Sequence, residues 1–393
     1  MKLRKRNLLA LLAGSLLPIA VYTQTAWSSE PTETPVNVIL MIGDGMGLAQ
    51  VSAALYANYN ELNLEKLPVL GFHKSYSHDQ LVTDSAAGAT AFSCGCKTFN
   101  SAIGLKPDST PCTTILEEAH TRGLATGLIV TSTIVHATPA SFAAHSISRE
   151  FYDDLAVDMA DAGIDLMIGG GRQYFNRRSS DDRDLIAEMK AKGYVVEDYL
   201  NNTLDGFKWE PLRPLVYFTA DKQPLNVAAG RDYLSLATKL GPEFLLKKSS
   251  KGFFLMIEGS QIDWACHAKD GKLAIKETLD FDRAVGVALA FAQNHPNTLL
   301  IVTADHETGG LALAPDSKMG RVETAFTTNN HTASLIPVYA FGPGSRQFSG
   351  IYENTDIYTK IRRILGFPPI QSKQEPANQP ATHSENTGKT EPK

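Results

Sequence analysis

Apolar and polar positions alternate along this chain on two scales. Short runs rich in Val, Ile, Leu and Phe lie at residues 37–42, 126–130, 166–169, 253–258, 299–303 and 336–341. Each is apolar apart from a polar residue at one end of some, and Gly, Asp or Ser follows most of them. That pattern predicts strands covered on both faces, as in a mostly parallel sheet. Between the runs, residues 113–122, 182–192 and 276–293 are amphipathic with helical spacing. Strands alternating with helices predict an α/β class: a central mostly parallel sheet flanked by helices on both faces. No internal repeat or linker divides the middle of the chain, so one domain over residues 29–370 is expected.

The two ends break this pattern. Lys2, Arg4, Lys5 and Arg6 precede an apolar run from Leu8 to Val21, with Ala26 and Ser28 as small residues before a cut after Ser28. This is the layout of an export signal. Gly14, Ser15 and Pro18 interrupt a run short for a membrane span. The mature chain is therefore expected to begin near residue 29, periplasmic or secreted and without a membrane anchor. Residues 371–393 are rich in Pro, Gln, Asn, Glu, Lys and Thr and predict a disordered polar tail.

Composition narrows the class. The chain has 393 residues, 43% of them hydrophobic and 20% charged, enough for a soluble enzyme with a sizeable core. A net charge of −5 and the lack of a basic, aromatic-interleaved stripe argue against a nucleic-acid partner. The four cysteines are Cys94, Cys96, Cys112 and Cys266. An oxidising compartment permits disulfides, and the sequence does not choose among the pairings. A bridge from Cys94 or Cys96 to Cys112 is favoured.

Ligands of open α/β sheets bind beyond the carboxyl ends of the strands. Acidic and imidazole residues collect there. Asp44 follows the first run, Glu258 ends the fourth, Asp305 and His306 follow the fifth, and His331 precedes the last. Asp263 and His267, four apart on a predicted helix, share one face, a spacing suited to a metal and also to a plain hydrogen-bonded pair. Ser85 opens an Ala-rich helix after Asp84. A helix N-terminus offers free N–H groups and suits a phosphate, yet Asp or Ser there is also an ordinary N-cap.

Six motifs together decide between these readings. They are Ile42-Gly-Asp-Gly-Met-Gly, Thr83-Asp-Ser-Ala-Ala-Gly-Ala-Thr-Ala, His136-Ala-Thr-Pro, Glu258-Gly-Ser-Gln-Ile-Asp, Thr303-Ala-Asp-His-Glu and Asn330-His-Thr. In this order and spacing they resemble the alkaline phosphatases, from about residue 36 to residue 345. The resemblance implies that phosphate monoesters are hydrolysed through a phosphoserine on Ser85, with two Zn2+ and one Mg2+ per subunit. Asp263, His267 and His331 match the ligands of one zinc. Asp44, Asp305 and His306, with Ser85 beside them, match the other. Asp44 would bridge to magnesium held by Thr138 and Glu258. Arg149 matches the phosphate-holding arginine, and Asp84 would orient it. A homodimer is implied by the resemblance alone.

Departures from the family pattern matter locally. His136 resembles animal and marine bacterial enzymes, where enterobacterial ones carry Asp, and would face magnesium through water. Trp264 resembles cold-adapted marine enzymes, and both an entrance role and plain packing are open to it. The stretch from His306 to His331 is too short for the crown insertion of animal enzymes. His145, between Thr138 and Arg149, reads as a structural histidine. Ser85 lacks the Cys/Ser-x-Pro-x-Arg context of a sulfatase. A phosphodiesterase would more often carry a threonine nucleophile, and Thr138, Glu258 and Arg149 together favour a monoesterase. A binding protein without turnover would not need Ser85.

Overall fold

The structure is a computed structural model that describes residues 37–369 apart from Pro211. The expected export signal and polar tail lie outside the described residues. Strands in chain order are β1 (Asn37–Gly43), β2 (Val69–Lys74), β3 (Ala125–Thr133), β4 (Leu166–Gly170), β5 (Val195–Asp198), β6 (Leu215–Phe218), β7 (Phe253–Gly259) and β8 (Thr298–Thr303). Four short strands follow, β9 (Glu307–Thr308), β10 (Leu311–Leu313), β11 (Thr324–Phe326) and β12 (His331–Thr332), and then β13 (Ile336–Phe341) and β14 (Gly350–Glu353).

Ten of these form one sheet in the order β14-β2-β13-β8-β1-β7-β3-β4-β6-β5. Only β13 runs against its neighbours. The six runs read from the sequence are β1, β3, β4, β7, β8 and β13. Their uniform apolar character has a physical cause. Val38, Leu40 and Ile42 of β1 enter the core on one face, while Ile39 and Met41 enter the core on the other. Each such buried side chain contributes about 1.5–3 kcal/mol. The sequence reading passed over β2, β5, β6 and β14. β2 mixes exposed and buried positions and contains Gly71. β5 and β14 are the sheet edges and are largely half-buried or exposed.

The predicted helices form with sharper ends. Ile115–Thr121 starts at a capping box in which Thr114 accepts from Glu117 N–H and Glu117 accepts from Thr114 N–H. Asp184 caps Leu185–Ala191. Asp270 caps Gly271–Asn294 and so starts that helix earlier than its apolar period suggested. No described helix is long and apolar enough to cross a membrane.

Register sets the level of the polar strand ends. Ile42 of β1 pairs with Glu258 of β7 on one side and Thr303 of β8 on the other. Asp44 and Asp305, two residues further on, therefore come to one level. The expected disulfide is not formed: all four cysteines are free thiols.

Candidate active site

The helix Ser85–Cys94 points its N-terminus at this level. Asp84 is its N-cap, with Oδ1 accepting from Ala87 N–H at 3.0 Å. The helix lies close to the loop after β8, because a Cβ on Gly88 would stand 3.2 Å from the Asp305 Cβ. That approach sets Ser85 Oγ 3.2 Å from His306 Nε2. Across the opening, Arg149 Nη1 donates to Asp84 Oδ2 at 3.1 Å, and Arg149 Nη2 lies 3.5 Å from His136 Nε2. Ser101 braces this arm: its N–H donates to Asp84 Oδ2 and its carbonyl accepts from Arg149 N–H.

Three histidines turn Nε2 toward the carboxylates. His267 Nδ1 faces the Asn329 carbonyl at 2.6 Å, and His331 Nδ1 faces the Thr83 carbonyl at 2.9 Å. A carbonyl only accepts, so both rings carry the proton on Nδ1. Their Nε2 atoms then stand 3.1 Å apart beside Asp263. Thr308 does the same for His306. Its hydroxyl donates to Asp263 Oδ1 and lies 3.2 Å from His306 Nδ1, from which it accepts. Imidazole nitrogens and carboxylates converging at the floor of one cleft form a set of donors suited to a cation.

The carboxylates make the same demand. Both oxygens of Asp44, Glu258 Oε1, Asp305 Oδ2, Thr138 Oγ1 and His136 Nδ1 are buried without a hydrogen-bond partner. Donors hold the other oxygens. Gly45 and His306 N–H groups bind Asp305 Oδ1, and Ser260 Oγ donates to Glu258 Oε2 at 2.7 Å. Burial, then repulsion from Asp305, Asp263 and Glu258, pushes the Asp44 carboxyl well above its usual range. Burial likewise pushes Glu258 up to about 8. Asp263 goes the other way: burial opposes its charge, but hydrogen bonds from His267 and His331 hold it well below the usual range. Its partner His267 is raised to about 9 by that hydrogen bond.

Ligand atoms gather into three groups within 4.8 Å: Asp263 with His267 and His331, Asp44 with Asp263 and His306, and Asp44 with His136 and Glu258. Asp305 joins the second through Oδ2, 3.1 Å from His306 Nε2. Asp263 was assigned to one zinc by the resemblance, yet its carboxylate reaches toward both. Thr138 lies next to Glu258, with its hydroxyl unpartnered. A cleft of about 330 Å3 opens on Ser85, Arg149, Asp263, His267 and His331.

Residues 36–324 match the alkaline phosphatase family model. The chain belongs to the alkaline phosphatase family. It is 33% identical to alkaline phosphatase 3 of Bacillus subtilis, covering 90% of this chain and 97% of that protein. It is 31% identical to the alkaline phosphatase of Escherichia coli, covering 84% and 86%. Its fold superposes on the alkaline phosphatase of the Antarctic bacterium TAB5 with a TM-score of 0.80 and 43% identity, covering 86% of this chain and 99% of that one. The chain is thus a metal-binding phosphomonoesterase of this family.

With the alkaline phosphatase assignment in place, the sequence-predicted residues sort cleanly. Asp44, Asp84, Ser85, His136, Thr138, Arg149, Glu258, Asp263, His267, Asp305, His306 and His331 all converge. Trp264 stands edge-on to His136, with ring centroids 5.7 Å apart. His145 is structural, held by the Gly104 carbonyl and Glu117. The short stretch after His306 forms two small ribbons, β9 with β12 and β10 with β11. Sequence reasoning missed Ser101, Ser132, Ser260 and Thr308. A hydroxyl acquires its role only from what the fold sets beside it, and only the position of Ser260 inside a recognised motif, and of Thr308 directly after one, hinted at theirs.

Proposed function

We propose that this chain hydrolyses phosphate monoesters to alcohol and inorganic phosphate through a phosphoserine on Ser85, with two zinc ions and one magnesium ion per subunit. The donor chemistry supports the metals. Asp263, His267 and His331, and Asp44, Asp305 and His306, are mixed N/O sets suited to zinc. Asp44, Glu258 and Thr138 offer the oxygen ligands that magnesium requires. Bound there, the cations would neutralise charge on the attacking and leaving oxygens. Solved variants of the Antarctic enzyme with a histidine replaced by Asp or Glu are described with magnesium bound in the M3 site. In this chain, His136 stands beside Asp44 and Glu258.

The protein's own groups do the rest. Arg149 grips two phosphoryl oxygens with its planar fork. Asp84 occupies only Nη1 and so fixes the direction of that fork. The free N–H groups of the Ser85 helix add positive potential where the phosphoryl charge gathers. Ser85 Oγ attacks phosphorus, the alcohol leaves, and hydrolysis of the phosphoserine releases phosphate. The observation that carries this reading is Ser85 Oγ facing His306 Nε2 at 3.2 Å, with the Asp84–Arg149 pair beside it. The reading also has the mature chain exported, unanchored and homodimeric.

Purified protein is expected to hydrolyse p-nitrophenyl phosphate at alkaline pH, lose activity with chelator and recover with Zn2+ plus Mg2+. Ser85→Ala should lose nearly all turnover while keeping its metal content. Faster cleavage of diesters than monoesters contradicts the reading.

A further inference from the structure

A second cavity lies away from Ser85. It encloses about 1090 Å3 and is lined by Cys94, Cys96 and Cys112 together with Lys106, Arg122 and Lys251. Cys94 Sγ lies 3.9 Å from the Cys112 carbonyl and Cys96 Sγ 3.9 Å from the Leu105 carbonyl, so the three thiols gather at one wall of this cavity. None has a part in phosphate transfer.

The backbone builds this cluster from two directions. The nucleophile helix ends at Cys94, and Gly95 turns the chain with φ +69, a conformation in which a Cβ would strike the Tyr358 ring at 2.2 Å. That turn brings Cys96 back beside Cys94. From the other side, a hairpin closes with Leu105 opposite Pro111 and returns Cys112 against Gly104, whose carbonyl accepts from Cys112 N–H at 2.9 Å.

The thiols differ in access and acidity. Cys94 and Cys112 are buried, whereas Cys96 is half-buried at the cavity wall. Hydrogen bonds from Cys112 and Cys94, aided by Lys106, hold Cys96 at about 4, a thiolate at neutral pH. Burial, then the Cys112 contact, raises Cys94 well above its usual value. For Cys112 the Cys94 hydrogen bond pulls down, but the Cys96 contact and burial prevail and push it up to about 12.

We propose that Cys96 and Cys112 form a reversible disulfide through exchange with a disulfide oxidant, and that the bridge braces the segment holding Asp84 and Arg149. The segment closed by the bridge contains Ser101, which binds both of those residues. The Cys96 thiolate attacks the oxidant RSSR, giving a Cys96–S–S–R mixed disulfide and one thiolate RS−. Cys112 then loses its proton and attacks Cys96 Sγ, expelling the second RS−. Two protein thiols become one disulfide, two electrons pass to RSSR, and two RSH form. Cys94, buried and held protonated, takes no part in the exchange.

The test incubates the folded protein with oxidised glutathione, alkylates it under denaturing conditions and maps tryptic peptides. Two of the four thiols should disappear, with the peptide carrying Cys94 and Cys96 joined to the one carrying Cys112, and fragmentation should place the link on Cys96 and the alkyl group on Cys94. Cys112→Ser should prevent that link, and Cys96→Ser should slow thiol loss at least tenfold. The oxidised protein should melt a few degrees above the reduced one, as expected for a bridge closing a loop of this length. Four surviving thiols, a glutathione adduct that persists on Cys96, or thiol loss in Cys112→Ser at the wild-type rate overturns the site. Equal melting temperatures overturn the brace.

Discussion

Ser260 Oγ donates to Glu258 Oε2 at 2.7 Å and leaves Glu258 Oε1 bare toward Asp44. Ser132 Oγ lies 3.1 Å from Ser260 Oγ and supports it from β3. One carboxylate is thus divided between a fixed oxygen and a free one. Removing the hydroxyl should let the carboxylate rotate. Ser260→Ala is expected to weaken magnesium binding about tenfold, the usual cost of losing a group that orients a ligand, with zinc content unchanged. Equilibrium dialysis of zinc-loaded protein against Mg2+ measures this. Equal magnesium affinity removes the role assigned to Ser260.

Asp84 fixes the direction of the Arg149 fork through the 3.1 Å bond to Nη1. Arg149→Ala is expected to lower kcat/KM for p-nitrophenyl phosphate by roughly 10–100-fold, as for loss of a charged hydrogen bond of about 1.5–3 kcal/mol. Inhibition by inorganic phosphate should weaken in parallel. Arg149→Lys should recover only part of both, because an ammonium lacks the fork. Unchanged phosphate inhibition in Arg149→Ala contradicts the assignment.

His136 stands among Asp44 and Glu258 with Nδ1 unpartnered. A carboxylate there offers magnesium a harder donor. His136→Asp should hold magnesium more tightly, yet melt at a lower temperature when stripped of metal, because it adds another buried like charge. Melting curves with and without Mg2+ separate the two effects. Identical curves for wild type and variant in both states count against it.

His145 offers a pH-dependent test away from the metals. Its Nδ1 faces the Gly104 carbonyl at 2.7 Å and its Nε2 faces Glu117 at 3.0 Å, so only the imidazolium satisfies both. The hydrogen bond to Glu117 raises the pKa of His145 in the folded state. Its stabilisation is therefore complete below the unfolded pKa, about 6.5, and fades as pH rises through the folded value. Partial exposure limits it to about 1 kcal/mol. His145→Gln should lower the melting temperature more at pH 6 than at pH 9. A pH-independent difference contradicts the charged pair.

The sequence carried the central strands because burial on both faces leaves no room for polar residues: Val38 and Ile39 are adjacent yet face opposite cores. β6 is also wholly buried, but its four apolar residues lie between Pro214 and Thr219, without the Gly, Asp or Ser that follows most of the other runs. β5 and β14, at the edges, carry no such constraint. Metal ligands were legible because imidazole and carboxylate at the ends of apolar runs are expensive there without a purpose. Thr308 and Ser101 were not, since nothing in the chain shows that Thr308 lies between Asp263 and His306, or that Ser101 joins Asp84 to Arg149. The cysteine cluster was half legible: the sequence favoured Cys112 as the shared partner but gave no sign that Cys96 is the most exposed of the three thiols.

The central claim is that Ser85, facing His306 within a metal-loaded site, carries the phosphoryl group. It is tested by mixing metal-loaded protein with a phosphate monoester, quenching in acid and mapping phosphopeptides by mass spectrometry. The account predicts a single phosphorylated residue, Ser85, absent from Ser85→Ala and from chelator-treated wild type. Phosphorylation at another residue, or full turnover with no phosphoserine at any quench time, would contradict it.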